Sequence, residues 1–415
     1  MSTEIGDLLH AYRQRENISL NELAERTDIS KAALSKIESG ETKRPGFSQW
    51  KKIASAIKIP SVDVITAYLG ITERPATIQL LLSESMSLGS KQLVQRTAQK
   101  LLDTPKLDTF HALDYLLRMA SETEDQNTTL TLYDVLIDFT RKRGIPFYLA
   151  KGLYARYLLE RDDFSRFEET YRRGKELLHY VDQLQPPDRL DYYYRMGVHA
   201  YILEYYGESV ELCGKAISED GTKDSKQKAS ALISMVNSYL RLDYPILAEY
   251  YLELYEESKF ADFRKKHLRA LLHAKKGEYA NAVALYKECL QEAKPDSRIT
   301  IASDLLDVYL DAEQSDAIQE LIATEHTFLT VDSHPNRIKH AARYYKRKGM
   351  CLLSIGQADA GIDSLMQSLR VYRQIGALEK VMGVLGVLFE YHRAINTSLS
   401  LENMEIIMEV CHNQR

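Results

Sequence analysis

The stretch SLNELAERTDISKAALSKIESGETKRP, residues 19–45, carries the decisive pattern. Ser19 is followed three residues later by Glu22, the spacing of a capping box, in which hydroxyl and carboxylate satisfy each other's backbone amides at a helix start. Leu23 and Ala24 then turn inward on a short helix. Thr27-Asp28-Ile29 makes a tight connection to Ser30, a second N-cap. In the next helix, Lys31 to Glu38, Leu34 and Ile37 fall at i and i+3 and face the core. That leaves Lys31, Ala32, Ser35 and Lys36 outside, near the helix N-terminus. Small and basic side chains on the exposed first turns of a short helix are what reading base edges in a major groove requires. Ser39 to Pro45 then forms a turn whose adjacent cations, Lys43 and Arg44, suit phosphate.

Working outward, a helix over about Glu4–Asn17 places Ile5, Leu8, Leu9 and Tyr12 on one face. Another over about Ser48–Ile57 brings Trp50 and Ile53 into the same small core. Between Lys31 and Lys52, six basic residues (Lys31, Lys36, Lys43, Arg44, Lys51, Lys52) stand against Glu38 and Glu41, while the whole 415-residue chain has a formal net charge of −5. Any surface for a polyanion is therefore local. The run Leu20-x-x-Leu23-Ala24, Ile29-Ser30, Leu34-Ser35-x-Ile37-Glu38-x-Gly40 and Lys43-Arg44-Pro45 resembles the Xre family, helix-turn-helix domains of the phage Cro and CI type. The resemblance covers about 65 residues and implies that Lys31, Ala32 and Lys36 face bases while Ser19, Asn21, Lys43 and Arg44 approach phosphates; Ser35 shares the outer face. Leu20 replaces the glutamine often found opening helix 2, which removes one polar contact to DNA. The alternative is a four-helix domain whose cations are only a solvated face.

From about Ala76 onward apolar residues recur at helical spacing, with short breaks and no period-2 runs, so the chain reads as all-α. A weak repeat of about 34–40 residues runs through this body. Leu268 to Cys289 and Lys348 to Leu365 each show a small residue in a first helix, a glycine turn (Gly277, Gly356), a small residue early in a second helix, and a large one four later. Ala229 to Tyr255 fits again; Tyr154 to Gly174 and Tyr194 to Ala216 fit more loosely. Small residues let paired helices approach, and the large one fills the groove of the next pair. These segments resemble tetratricopeptide repeats, six to nine helix pairs in a right-handed superhelix. The expected organisation is a helix-turn-helix domain at 1–70, a linker at 71–78 and a repeat domain at 79–415 for peptide binding and dimerisation.

A head and body of these kinds together resemble the peptide-pheromone receptors of Gram-positive bacteria (the PlcR, PrgX, Rgg and NprR family), with Rap proteins sharing the repeats. The resemblance implies a homodimer that binds operator DNA and holds a short signalling peptide inside its superhelix. In this family asparagines on the inner face clasp the peptide backbone, which singles out Asn237. The same register points Arg156, Tyr194, Tyr201, Arg264, His267, Asp307, Arg343, Lys346 and Met350 inward, where a cation could hold a peptide carboxylate and Asp307 an amine. The alternative for each is an ordinary solvated groove.

Other chemistry is not signalled. Phosphate-binding glycine loops, HExxH and nucleophile-elbow motifs are all missing, so neither an enzyme nor a cofactor or metal is expected. His267 and His273, like His334 and His340, are six apart and do not share a helical face. The four cysteines (Cys213, Cys289, Cys351, Cys411) are scattered and read as small buried hydrophobes. No signal peptide or membrane-spanning run is apparent, so a cytoplasmic protein is expected. Two further functions stay open: a Rap-like docking scaffold for another protein, and a ligand-independent phage or plasmid repressor.

Overall fold

The computed structural model of the chain describes residues 5–221, 224–329 and 335–412, and within these residues the secondary structure is helical throughout, with no strand. His334 lies outside the described residues. The head consists of α1 (Ile5–Arg15), α2 (Leu20–Thr27), α3 (Lys31–Glu38), α4 (Phe47–Ala56) and α5 (Ser61–Ile71). Helices α6 (Pro75–Ser87), α7 (Lys91–Asp103), α8 (Thr109–Glu122), α9 (Gln126–Arg143) and α10 (Pro146–Glu160) follow. After α11 (Phe167–Gly174) and short 3-10 turns come α12 (Pro186–Ile202), α13 (Tyr206–Asp220), α14 (Lys226–Arg241), α15 (Pro245–Glu256), α16 (Arg264–Lys275) and α17 (Tyr279–Glu292). The remainder are α18 (Pro295–Asp311), α19 (Ser315–Ala323), α20 (Pro335–Ser354), α21 (Ala358–Gln374), α22 (Leu378–Ala394) and α23 (Leu401–His412). No described helix is long and apolar enough to cross a membrane.

Packing divides the chain into two compact units. The first reaches to Asp162 and takes in Arg172–Leu184; the second holds Asp163–Tyr171 and everything from Gln185. In the first unit Leu9, Leu23, Leu34, Trp50, Ile53 and Ile57 are fully buried in the head core, which Leu81 of α6 and Leu93 of α7 also join. Of the expected linker, residues 71–78, only Thr72–Arg74 lie between helices. Pro75 supplies the reason: its fixed φ and missing N–H suit the first turn of a helix, so α6 starts there.

The second unit is built from helix pairs. Each pair from α12/α13 to α20/α21 turns through one residue in the left-handed region: Glu204, Asp243, Gly277, Glu313 and Gly356. Glycine takes that conformation without cost at Gly277 and Gly356; the other three carry a side chain through it. Seven residues before and five after each turn, the paired helices meet at Gly197/Ser209, Val236/Ala248, Ala270/Ala282, Leu306/Ile318 and Gly349/Gly361, all buried. A Cβ on Gly349 would stand 2.9 Å from the Gly361 carbonyl, and one on Gly361 would stand 3.1 Å from that of Gly349. Backbone therefore lies against backbone in this pair. At Leu306/Ile318 two large side chains take the same positions, which masks the repeat in the sequence. Cys213, Cys289 and Cys351 are buried. Cys411 is exposed, against expectation, because α23 buries only Val410 among its described residues.

Candidate functional site

The outer face of α3 is built from behind. The Ser19 box forms as its spacing requires, the hydroxyl accepting from the Glu22 amide at 3.2 Å and the Ser19 amide donating to Glu22 Oε2 at 2.7 Å. Asp28 takes the left-handed conformation that turns the chain, and Ser30 Oγ accepts from the Ala33 amide at 3.3 Å. Glu38 points back to α1, where its Oε1 takes Arg13 Nη2 at 2.6 Å and His10 Nδ1 at 2.7 Å. Gly6 lets α1 lie directly on the end of α3, since a Cβ there would meet the Glu38 carbonyl at 2.8 Å. Leu34 and Ile37 are buried, while Lys31, Ala32, Ser35 and Lys36 are all exposed.

The basic turn beside this helix is also held. Pro45 is buried, its carbonyl accepts from Tyr68 Oη at 2.9 Å, and Tyr68 packs on Phe47 at 4.8 Å between ring centroids. Lys43 and Arg44 stay exposed with no ion pair among the described residues. Of the remaining cations, Lys36 pairs with Glu41 at 3.1 Å and Lys51 turns away to Glu84 of α6 at 2.7 Å. Glu38 faces inward as Lys51 turns away, so the outer surface keeps the cationic excess of the local sequence. Ser19 and Asn21 are exposed at the start of α2. The carboxylate of Glu22 stands beside Ser19, and its hydrogen bonds from Ser19 hold it below the usual carboxylate range.

In the second unit, α12, α14, α16, α18 and α20 supply the walls of a cavity of about 730 Å³, with Tyr372 and Lys380 closing it. Seven of the residues expected to point inward line it: Tyr194, Tyr201, Arg264, Asp307, Arg343, Lys346 and Met350. Asn237 lines a smaller neighbouring cavity of about 180 Å³, which shares Arg241, Asp307, Arg343 and Arg347 with the larger one. Its side-chain nitrogen donates one hydrogen bond to the Ile233 carbonyl at 2.9 Å. His267 stands behind the wall, 2.9 Å from Asp304. Arg156 belongs to the first unit, paired with Asp134 at 3.0 Å and Glu160 at 3.2 Å, and lines neither cavity. Its register follows from a repeat that is interrupted after α10 by 3-10 turns.

One residue that the sequence reading does not single out organises the wall. Asp304, on α18, is buried and bound by His267, Arg343 and Arg347, the last at 3.0 Å. Burial alone pushes its carboxyl up; the Arg343 guanidinium, the His267 hydrogen bond and Arg347 reverse that and leave it well below the usual carboxylate range. Asp307, one turn on, is pushed up to about 6 by burial against the pull of its partner Arg347. His340 is pushed down to about 4 by burial and then by Arg343 and Lys339, so it stays neutral at pH 7. The buried hydroxyl of Tyr286, in the smaller cavity, has no hydrogen-bond partner among the described residues. The signal for this wall is legible in hindsight: Lys339, Arg343 and Arg347 recur at i, i+4 and i+8 on α20, one cationic stripe. Among the described residues no group of three or more His, Cys, Asp or Glu is placed to hold a metal ion.

A head of this kind on a body of paired helices defines an all-α helix-turn-helix chain with a tetratricopeptide-type repeat domain. Residues 9–64 match the Helix-turn-helix family profile HTH_3, and the head is a helix-turn-helix domain of the Xre type. The HTH-type transcriptional regulator SlrR of Bacillus subtilis is 33% identical over 63 residues, 15% of this chain; the match spans 41% of that protein's length. A tetratricopeptide repeat protein from Parabacteroides merdae is 13% identical, with a TM-score of 0.50 over 66% of this chain and 97% of that one, a likeness of fold alone. Bacillus thuringiensis PlcR, solved in complex with the peptide PapR7 and DNA, is 15% identical over 66% of this chain and 98% of that one. Its TM-score of 0.18 is too low for the superposition to carry an argument.

Proposed function

We propose that this chain is a peptide-responsive transcriptional regulator of the quorum-sensing type, a homodimer that binds operator DNA through α3 and the Lys43-Arg44 turn and a short signalling peptide within its repeat domain. The observation that carries the reading is the presence, in one chain, of an exposed small-and-basic recognition face and a cavity of about 730 Å³ walled by tyrosines and charged side chains, a size ordinary for ligand sites. Lys31, Ala32, Ser35 and Lys36 take the bases; Ser19, Asn21, Lys43 and Arg44 take phosphate. A dimer calls for a two-fold operator with half-sites about one helical turn apart.

Fluorescence anisotropy on the gene's own upstream DNA tests both halves, with and without synthetic peptides from neighbouring small reading frames. The expected result is an affinity that one peptide changes and that no longer responds in Asn237→Ala. Tight DNA binding indifferent to every peptide refutes the peptide half, and no specific DNA binding refutes the other. A docking-scaffold reading rests on the exposed outer row of α15, where Ile246 is 82% and Tyr250 54% exposed. It calls for a stoichiometric protein complex that forms without peptide.

A further inference from the structure

The charges on the wall of the larger cavity divide into those already neutralised and those that are not. Arg343 and Arg347 are held by Asp304 and Asp307, Arg264 by Asp262 at 2.8 Å, and Lys380 by Glu204 at 2.6 Å. Lys346 has no ion pair or hydrogen bond among the described residues, and Lys339 donates only to the Ile202 carbonyl, at 3.2 Å; Arg241, on the same wall, also has no ion pair among the described residues but is exposed to solvent. Both ammonium groups are half-buried, and burial lowers their hold on the proton. A half-buried ammonium without a carboxylate is costly, and a ligand anion removes the cost.

Their placement says which anion. Lys339 and Lys346 are seven residues apart on α20, two turns and about 10 Å along the axis, and Arg343 lies between them with guanidinium donors beyond its bond to Asp304. A single phosphate is more often taken by clustered amides or a guanidinium fork than by two lysines on stems two turns apart. They match two separate carboxylates, and residues three apart in an extended peptide span about 10 Å. The tyrosines Tyr201 and Tyr206, with centroids 5.9 Å apart, provide an amphipathic floor beside them.

We propose that the ligand of this cavity is an acidic oligopeptide whose two carboxylates, one a side chain and one the C-terminus, are held by Lys339 and Lys346 of α20. The proposal rests on the peptide-receptor reading and adds the ligand's charge and spacing. The test uses the full chain and pools of free-acid heptapeptides in which the fourth residue is fixed as Asp, Asn or Lys. Peptides retained with the protein on ultrafiltration are identified by mass spectrometry. Retention should be confined to the Asp pool, weaken with added salt, and fall when the same pool is C-terminally amidated. K339Q/K346Q should bind a recovered peptide at least about tenfold more weakly, with a melting curve like that of the unaltered chain; K339R/K346R should restore binding. Equal retention from the Asn or Lys pools, or a recovered peptide indifferent to K339Q/K346Q, overturns the acidic ligand and leaves the peptide receptor standing. No retention from any pool overturns both, and retention of inorganic pyrophosphate in its place would mark Lys339 and Lys346 as a phosphate site.

Discussion

Replacing Asp304 by Asn leaves the shape of the wall nearly unchanged and removes the charge that two guanidiniums share. Breaking a buried ion pair from one side costs about 3–5 kcal/mol, since the stranded partner stays charged and desolvated. Here the carboxylate is 5% exposed, but Arg347 and Arg343 are 16% and 26% exposed along the cavity wall, where water can reach them. The lower end of the range therefore applies, about 3 kcal/mol. For a domain of this size each kcal/mol moves the midpoint by about 2–4 °C, so D304N should melt about 6–12 °C earlier. Differential scanning calorimetry on the full chain reads this out. The only tryptophan, Trp50, lies in the head core, so its fluorescence follows the head separately. D304N/R343Q should recover part of the loss by removing the cation whose ion pair is with Asp304 alone, since Arg347 keeps Asp307. A shift of less than about 2 °C in D304N would refute the reasoning, because it would mean that both guanidiniums rehydrate through the cavity and that Asp304 anchors nothing.

In the head, K43A/R44A should weaken binding to all DNA sequences alike and make the slope of log K against log salt shallower by about 2, at about 0.9 for each phosphate left without its cation; an unchanged slope removes the turn from the interface. Gly197→Ala pushes a methyl group to 2.5 Å from Cys213 Sγ and 3.1 Å from the Cys213 amide, and should cost about 1–3 kcal/mol by overpacking, read from the same calorimetric transition. Asp307 holds its proton more tightly folded, at about 6, than unfolded, at 3.8. Its folded pKa is raised, so stability is lost as pH rises from about 4 to 6 and the loss is complete above that window. Urea denaturation of the unaltered chain and D307N across pH 4–8 should show their difference shifting toward D307N over that interval. Its side chain is 39% exposed, which makes the effect a fraction of what full burial would give.

Local rules make the head legible. The Ser19–Glu22 spacing, the Asp28 turn and the i, i+3 pair Leu34/Ile37 each act within one helical turn or two, so the sequence alone places them and the outward faces of Lys31 and Lys36. Its limit shows at Lys51, whose partner Glu84 sits on α6, beyond any local spacing. In the body, the glycine turns at Gly277 and Gly356 reveal the repeat, while Leu306 and Ile318 hide it by filling positions where small residues would announce a close pair. Extending that register across an interrupted stretch is what misplaces Arg156. Asp304 carries a readable signal: an acid inside the apolar run Ile299 to Leu310 has to find partners when the helix buries. Which partners is a tertiary matter, since His267 is 37 residues back and Arg343 39 residues forward.

The way α6 begins at Pro75, with Leu81 and Leu93 in the head core, has a mechanical consequence. The recognition helix is not a pendant on a string of loose residues. It is a passenger on a block that runs on through α10, so a rearrangement that spares this block carries α3 with it as a solid piece. A displacement of α6–α10 is passed on to α3 instead of being absorbed by slack at residues 71–78. Lengthening that short connection with glycines would insert the missing slack and uncouple the motion of α3 from that of the helices after Pro75.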